Sequence, residues 1–283
     1  MKNRRIENVK LELRHNKSAL AAMIFLLIIL ILAVFAFLLP YNPDKTDVAN
    51  MFQSPSFAHP FGTDELGRDY LTRTIYGGRV SLIVGVLAMV LSTIIGVAIG
   101  TMSGYFGGFL DNVLMRIVDI ISSIPWMILV TVVSIFLRPG LQAIILVIGL
   151  FSWMEIARLV RAETLSIKER EYVLYSISTG ERSRNIIFRH IIPSIFPTII
   201  VAATSSIANA IMTESSLSFL GIGIQQPMAS WGSLLQNAQA NLQNAPYMAI
   251  LPGLFIVITI YSFNKLGDVL RAFVEPKTVT DKR

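Results

Sequence analysis

The chain has 283 residues, 53% of them hydrophobic and only 15% charged, where a typical soluble domain carries about 25% charged residues. Its net charge of +6 would suit a nucleic-acid binder, but the basic residues stand at the ends of apolar segments and not on a soluble face interleaved with base-stacking aromatics. There is no cysteine, which removes disulfides, thiolate nucleophiles and thiolate metal sites, and His15, His59 and His190 are too scattered for a metal-ligand spacing.

A bilayer core about 30 Å thick needs roughly 20 apolar residues per helical crossing, and six segments are read as crossings. The first, about Ala19 to Leu39, follows the basic MKNRRIENVK, carries no charge and ends at Pro40. Its apolar run exceeds the roughly 7 to 15 residues of a signal peptide, and no small-residue cleavage site follows, so it reads as an uncleaved helix. The second runs from about Val80 to Met102, and GVAIGTMSGYFGG at its end sets Gly96, Gly100 and Gly104 four residues apart. Small residues on one stripe let two helix backbones approach closely in lipid. The third crossing covers about Val113 to Leu137, the fourth Leu141 to Ile156, the fifth Phe196 to Met212 and the sixth Met248 to Phe263. Arg116 and Asp119 stand three apart, as do Glu155 and Arg158, which is the spacing of an ion pair on one helix face. A proton relay would want several unpaired carboxylates at membrane depth, and none are seen.

Lys and Arg orient the crossings. With the N-terminus inside, six fall in residues 1–17, one is Arg116, seven lie between Arg158 and Arg189, and five follow from Lys265, nineteen of the 24 in all. The outer pieces hold Lys45, Arg68, Arg73, Arg79 and Arg138. No Lys or Arg occurs between His190 and Asn264, a stretch read as one crossing, an outer loop and a return. The expected molecule is an all-α integral membrane protein of six transmembrane helices with both termini in the cytoplasm. Its expected division is a tail (1–17), a helix with an extracellular segment (18–76), a transmembrane domain (77–268, with a cytoplasmic loop at about 158–194) and a second tail (269–283).

That loop reads ARLVRAETLSIKEREYVLYSISTGERSRNIIFRHIIPS. Val173, Leu174 and Ile177 give a first short helix an apolar stripe, and Gly180 stands where such a helix ends with positive φ. In a second helix Ile186, Ile187 and Ile191 face one way while Arg182, Arg184 and Arg189 face others. Pro193 is expected to stop it, and Pro197 to start or bend the next crossing. A basic inner loop is drawn to anionic lipid headgroups, and a helix–break–helix with an apolar stripe fits the groove of a partner protein. The residues by themselves leave both open.

The run Gly180 to Pro193 resembles the cytoplasmic motif of ABC importer permeases, and Arg189-His190-Ile191-Ile192-Pro193 is close to the RHILP of the peptide branch. The Glu-Ala-Ala that opens the family's motif stands here as Leu174-Tyr175-Ser176, and Thr179 replaces a usual leucine. HPFGTDELGRD (His59 to Asp69), GGRVSL (Gly77 to Leu82), GYFGGFLDNVLMRIVD (Gly104 to Asp119) and ESSLSFLGIGIQQPMASWG (Glu214 to Gly232) are similar to the C-type subunit of dipeptide, oligopeptide and nickel importers, and the resemblance spans about residues 18 to 275. It implies the type I importer fold and a coupling helix that inserts into an ATPase subunit. Tyr175, Ser176, Gly180, Glu181, Arg182, Ser183, Arg184, His190 and Pro193 are the coupling residues so implied. It further implies a heterodimer with a second, homologous permease, two ATPase subunits that bind the ATP and Mg, an extracellular binding protein, and residence in a bacterial plasma membrane. No cofactor is expected in this chain. The outer loop from about Glu214 to Pro246 has no Lys or Arg and Glu214 as its only acid, and Glu214 and Trp231 are expected to help shape an outer gate.

No G-x-x-x-x-G-K-[ST] phosphate cradle occurs, and neither G-x-S-x-G nor HEXXH is present, which disfavours an intramembrane hydrolase. A stand-alone secondary transporter would usually show internal repeats and paired broken helices, and no such repeat is seen. The expected function is half of an ATP-driven import pathway for di- and oligopeptides, with nickel or a metal chelate as the alternative cargo.

Overall fold

The computed structural model describes residues 16–137 and 140–274. Among these there is no strand, only an isolated bridge between Thr63 and Asp69. Helix α1 (Lys17–Val34) is capped by the Asn16 side chain, which accepts from the Ala19 N–H at 3.2 Å. Helix α2 (Tyr70–Phe106) is capped by Asp69, whose carboxylate accepts from the Thr72 N–H at 2.8 Å and from the Thr72 hydroxyl at 2.6 Å. At 37 residues, α2 is about 55 Å long, so it overshoots the bilayer core and starts well before the expected Val80.

Five helical runs are long and apolar enough to cross a membrane: Lys17–Val34, Tyr70–Phe106, Leu141–Lys168, Ser183–Phe219 and Tyr247–Ala272. The expected third crossing is not one straight helix. It divides into α3 (Gly108–Ser122) and α4 (Trp126–Phe136), bent by 81°. Pro125 lacks an N–H and disfavours helical backbone at Ile124, which places the break. Counting the bent pair as one span gives six crossings. The fourth is longer than read from the sequence, because α5 (Leu141–Phe151) and α6 (Trp153–Lys168) are separated only by Ser152.

Two short helices follow, α7 (Glu171–Ser178) and α8 (Ser183–Ile186), then a π-helical turn (Ile187–Ile191) and α9 (Ile192–Phe219). Pro193 does not stop a helix. It sits in the first turn of α9 directly after the wide π turn, which leaves its ring room against the preceding carbonyls, so Ser183–Phe219 stays one helical run. Helix α10 (Trp231–Ala238) opens with a capping box between Ser230 and Ser233, and α11 (Tyr247–Val274) continues past residue 268.

Helix α2 is the centre of the bundle. A Cβ on Gly96 would lie 2.7 Å from the Ile156 side chain, one on Gly100 2.5 Å from the Ala157 carbonyl, and one on Gly104 2.7 Å from Thr164. The glycine stripe is therefore the seam on which α6 lies. Beside it, Arg161 holds Asp111 through two bonds of 2.6 and 2.7 Å, and Ser103 donates to the same carboxylate. The expected pairs within α3 and within α6 do not form. Asp119 instead accepts from Arg158 across the two helices at 2.9 Å, because α3 crosses α6 and brings the opposite charges together.

The bundle has two distinct ends. At one, Tyr70, Leu234 and Met248 pack together; at the other, Tyr105, Ile167, Val173 and Ile186 do. The Tyr70 end is tied by the HPFGTDELGRD stretch. Asp64 accepts from the Leu66 and Arg68 N–H groups at 2.9 Å each and from Arg68 Nε at 2.7 Å. Arg73 Nε stands 3.4 Å from Asp64, and the Arg73 guanidinium donates to the Pro43 carbonyl at 2.9 Å. Tyr247 donates to the Thr63 carbonyl at 2.7 Å and Tyr70 to the Met248 carbonyl at 2.6 Å. Residues 43–69 are thereby fastened to α2 and α11.

Candidate functional site

At the Tyr105 end, the chain leaves α6 at Lys168 and turns through Arg170, which is extended, into the eight residues of α7. That helix ends in a Schellman motif. The Glu181 N–H reaches back to the Ser176 carbonyl and the Gly180 N–H to the Ile177 carbonyl, both at 3.1 Å, with Gly180 at φ +76°. The glycine meets the expectation set for it. A Cβ there would touch nothing within 4 Å, so a substitution is resisted by backbone conformation alone, at about 1–2 kcal/mol.

The second half of the element packs as read from the sequence. Ile186 and Ile191 are buried beside Val173, while Arg182, Arg184 and Arg189 are exposed. In the first half the apolar stripe divides. Of the expected stripe only Val173 turns inward; Leu174 and Ile177 are 51% and 40% exposed, next to Tyr175 at 71% and Tyr172 at 47%. Helix α7 touches the bundle through the narrow face of Val173 and Ser176, so its other faces carry large apolar and aromatic side chains that the fold leaves uncovered. A contiguous patch of this kind on a folded surface marks an interaction site.

His190 joins the two halves. Its Nε2 lies 3.4 Å from both Glu181 Oε2 and Ser176 Oγ, and Tyr172 reaches over it to place its hydroxyl 3.1 Å from Ser194 Oγ. Of the residues singled out in the sequence, Ser176, Glu181 and His190 lock the hinge and Gly180 turns it. Tyr175, Arg182, Ser183 and Arg184 lie on the surface, and Pro193 is exposed where α9 begins. Tyr172 belongs to the same face and was not singled out; its position three before Tyr175 was the available signal.

Glu214 and Trp231 are at the opposite end, and both are completely buried. Glu214 accepts from Ser81 at 2.9 Å and from Ser218 at 2.7 Å. The Trp231 indole donates to the Thr74 carbonyl at 2.9 Å, and its main-chain N–H points to Ser81 Oγ at 3.3 Å. Together they clamp α10 onto α2 and α9. Among the described residues no three His, Asp or Glu side chains are grouped to hold a metal ion.

This bundle, with its hinged element between the fourth and fifth crossings, has known relatives. Residues 96–280 match the family described as the inner membrane component of binding-protein-dependent transport systems. The chain belongs to this family of permeases. Residues 8–55 match the N-terminal transmembrane domain of oligopeptide transport permease C. The permease is 41% identical to the oligopeptide transport system permease protein OppC of Escherichia coli K12, over 93% of this chain and 88% of that one. It is 38% identical to OppC of Bacillus subtilis, over 96% and 89%, and 38% identical to the dipeptide transport system permease protein DppC of the same organism, over 94% and 83%. An inward-facing structure of the methionine ABC transporter MetNI superposes with a TM-score of 0.59 at 21% identity, over 72% of this chain and 97% of that one. The permease therefore has the type I importer fold, as the motifs implied.

Proposed function

We propose that the permease forms half of the translocation pathway of an ATP-driven importer for di- and oligopeptides, and that an ATPase subunit drives it by gripping α7. The observation that carries this reading is the uncovered face of Tyr172, Leu174, Tyr175 and Ile177 on a helix whose hinge is locked from within. The Lys and Arg distribution supports placing that end in the cytoplasm with both termini, in the plasma membrane of a bacterium. Peptide cargo is favoured by the names of the relatives, which are oligopeptide and dipeptide permeases.

The lever follows from the backbone. The hinge passes into a single helical run, Ser183–Phe219, that extends from the Tyr105 end to the clamp at Glu214. Displacing α7 and α8 therefore tilts a whole crossing, and the bundle has two states that the cytoplasmic partner biases. The partners are a second, homologous permease, two ATPase subunits that bind ATP and Mg, and an extracellular binding protein that delivers the substrate. The permease itself is not an enzyme and holds no cofactor. Residues 77–268 form the transmembrane domain, with the coupling loop inside it and the segment 18–76 as an added helix and outer cap.

Gly180→Arg in the complete importer tests the reading. It is expected to abolish peptide uptake while the subunits still assemble and hydrolyse ATP. Normal uptake by this variant, or uptake by the permease in liposomes without any ATPase, would overturn it.

A further inference from the structure

The bundle holds a cavity of about 660 Å³, lined by the α3–α4 break, the α5–α6 junction and one face of α9. That volume lies within the roughly 300–1,000 Å³ of small-molecule sites. Its walls are unusual for a membrane-embedded surface. On α9, Ser205, Ser206, Asn209 and Thr213 recur at helical spacing and all line the cavity. Asn209 is exposed, sits past the middle of the crossing, and makes no side-chain hydrogen bond among the described residues. Polar side chains in this position face a bundle interior or a water-filled space, not lipid.

The facing walls agree. Ser122 to Trp126 and Ser152 line the cavity where two helices are interrupted, and non-helical backbone at membrane depth is tolerated where it borders protein or water. On α6, Glu155 and Arg158 also line it. Arg158 is engaged by Asp119, whereas Glu155 is exposed and has no ion-pair partner among the described residues. The cavity thus has an uncharged wall of hydroxyl and amide groups and, on α6, one free carboxylate.

We propose that this cavity is the permease's share of the substrate path and that it reads the peptide main chain, with Ser205, Ser206, Asn209 and Thr213 hydrogen-bonding the peptide amides while Glu155 meets the cationic amino terminus. The inference rests on the peptide-importer reading above and deepens it. Main-chain amides recur in every peptide, so a neutral donor–acceptor wall binds them without selecting side chains, and a lone carboxylate fixes the direction of entry.

The permease has no native cysteine, so single cysteines report cleanly. In the assembled importer, Asn209→Cys is expected to react with a charged thiosulfonate reagent, and excess transported peptide during turnover is expected to slow that reaction severalfold. Ile31→Cys, on the 47% exposed outer face of α1, is expected to stay unreactive. Asn209→Leu is expected to lower peptide uptake about tenfold, the scale of one lost buried hydrogen bond, with Asn209→Gln recovering most of it and assembly unchanged in both. An unreactive Asn209→Cys, a reaction indifferent to peptide, or normal uptake by Asn209→Leu overturns the proposal. If the wild-type importer takes up a metal chelate and no peptide, the cargo reading fails by itself, and protection of Asn209→Cys by that chelate would overturn main-chain recognition.

Discussion

The two ends of the permease are built on opposite principles. At the Tyr70 end, opposite charges are buried together: Asp64, Arg68 and Arg73 are each 4% exposed or less and share one ion-pair network. At the Tyr105 end, the hinge is held by three polar side chains, Ser176, Glu181 and His190, at 3.4 Å contacts, and its largest apolar side chains point away from the bundle. A region that only had to be stable would be built like the first. The second has the composition of a surface completed by something else, and the long run Ser183–Phe219 connects it to the first.

Substitutions sharpen this contrast, beginning with the seam on which both ends depend. Gly100→Leu places a side chain where even a Cβ meets the Ala157 carbonyl and Val160. No rotamer avoids the backbone, so α2 and α6 must separate, and the permease is expected to be lost from the membrane fraction in an immunoblot. Asp64→Ala is expected to be the next most damaging. It leaves Arg68 and Arg73 buried without their shared partner, a defect of about 3–5 kcal/mol, read as a clear fall in the melting temperature of the purified importer. A melting temperature unchanged by Asp64→Ala would mean that the knot at the Tyr70 end is ornament and the two ends do not differ as described.

Much of this architecture was legible in the sequence, for reasons that are local. The spans follow from runs of apolar residues, the glycine stripe from its four-residue spacing, and the positive φ of Gly180 from its place after an amphipathic octet. What could not be read depends on elements that meet only in space. Asp119 chose Arg158, 39 residues away, over Arg116 on its own helix, and Asp111 and Arg161 are 50 residues apart. The stop expected at Pro193 failed because a π turn, which no residue pattern announces, absorbs the ring. The apolar stripe of α7 was legible, but how it divides was not: the helix is too short and too shallowly seated to bury more than Val173 and Ser176, so Leu174 and Ile177 stay uncovered. Glu214 and Trp231 stand out as an acid and an indole in a neutral loop, but their partners Ser81 and Thr74 lie more than 130 residues away.

The claim on which the account turns is that the outward face of α7 is occupied by the ATPase. Tyr175→Cys tests it most directly, because the side chain is 71% exposed and its replacement is expected to leave stability unchanged, the smallest effect of the series. In the assembled importer in native membranes, a short bifunctional thiol reagent should join Tyr175→Cys to an ATPase subunit, and the yield should change when ATP is bound. Failure to form that crosslink, together with modification of Tyr175→Cys by an impermeant reagent added outside the cell, would contradict the account.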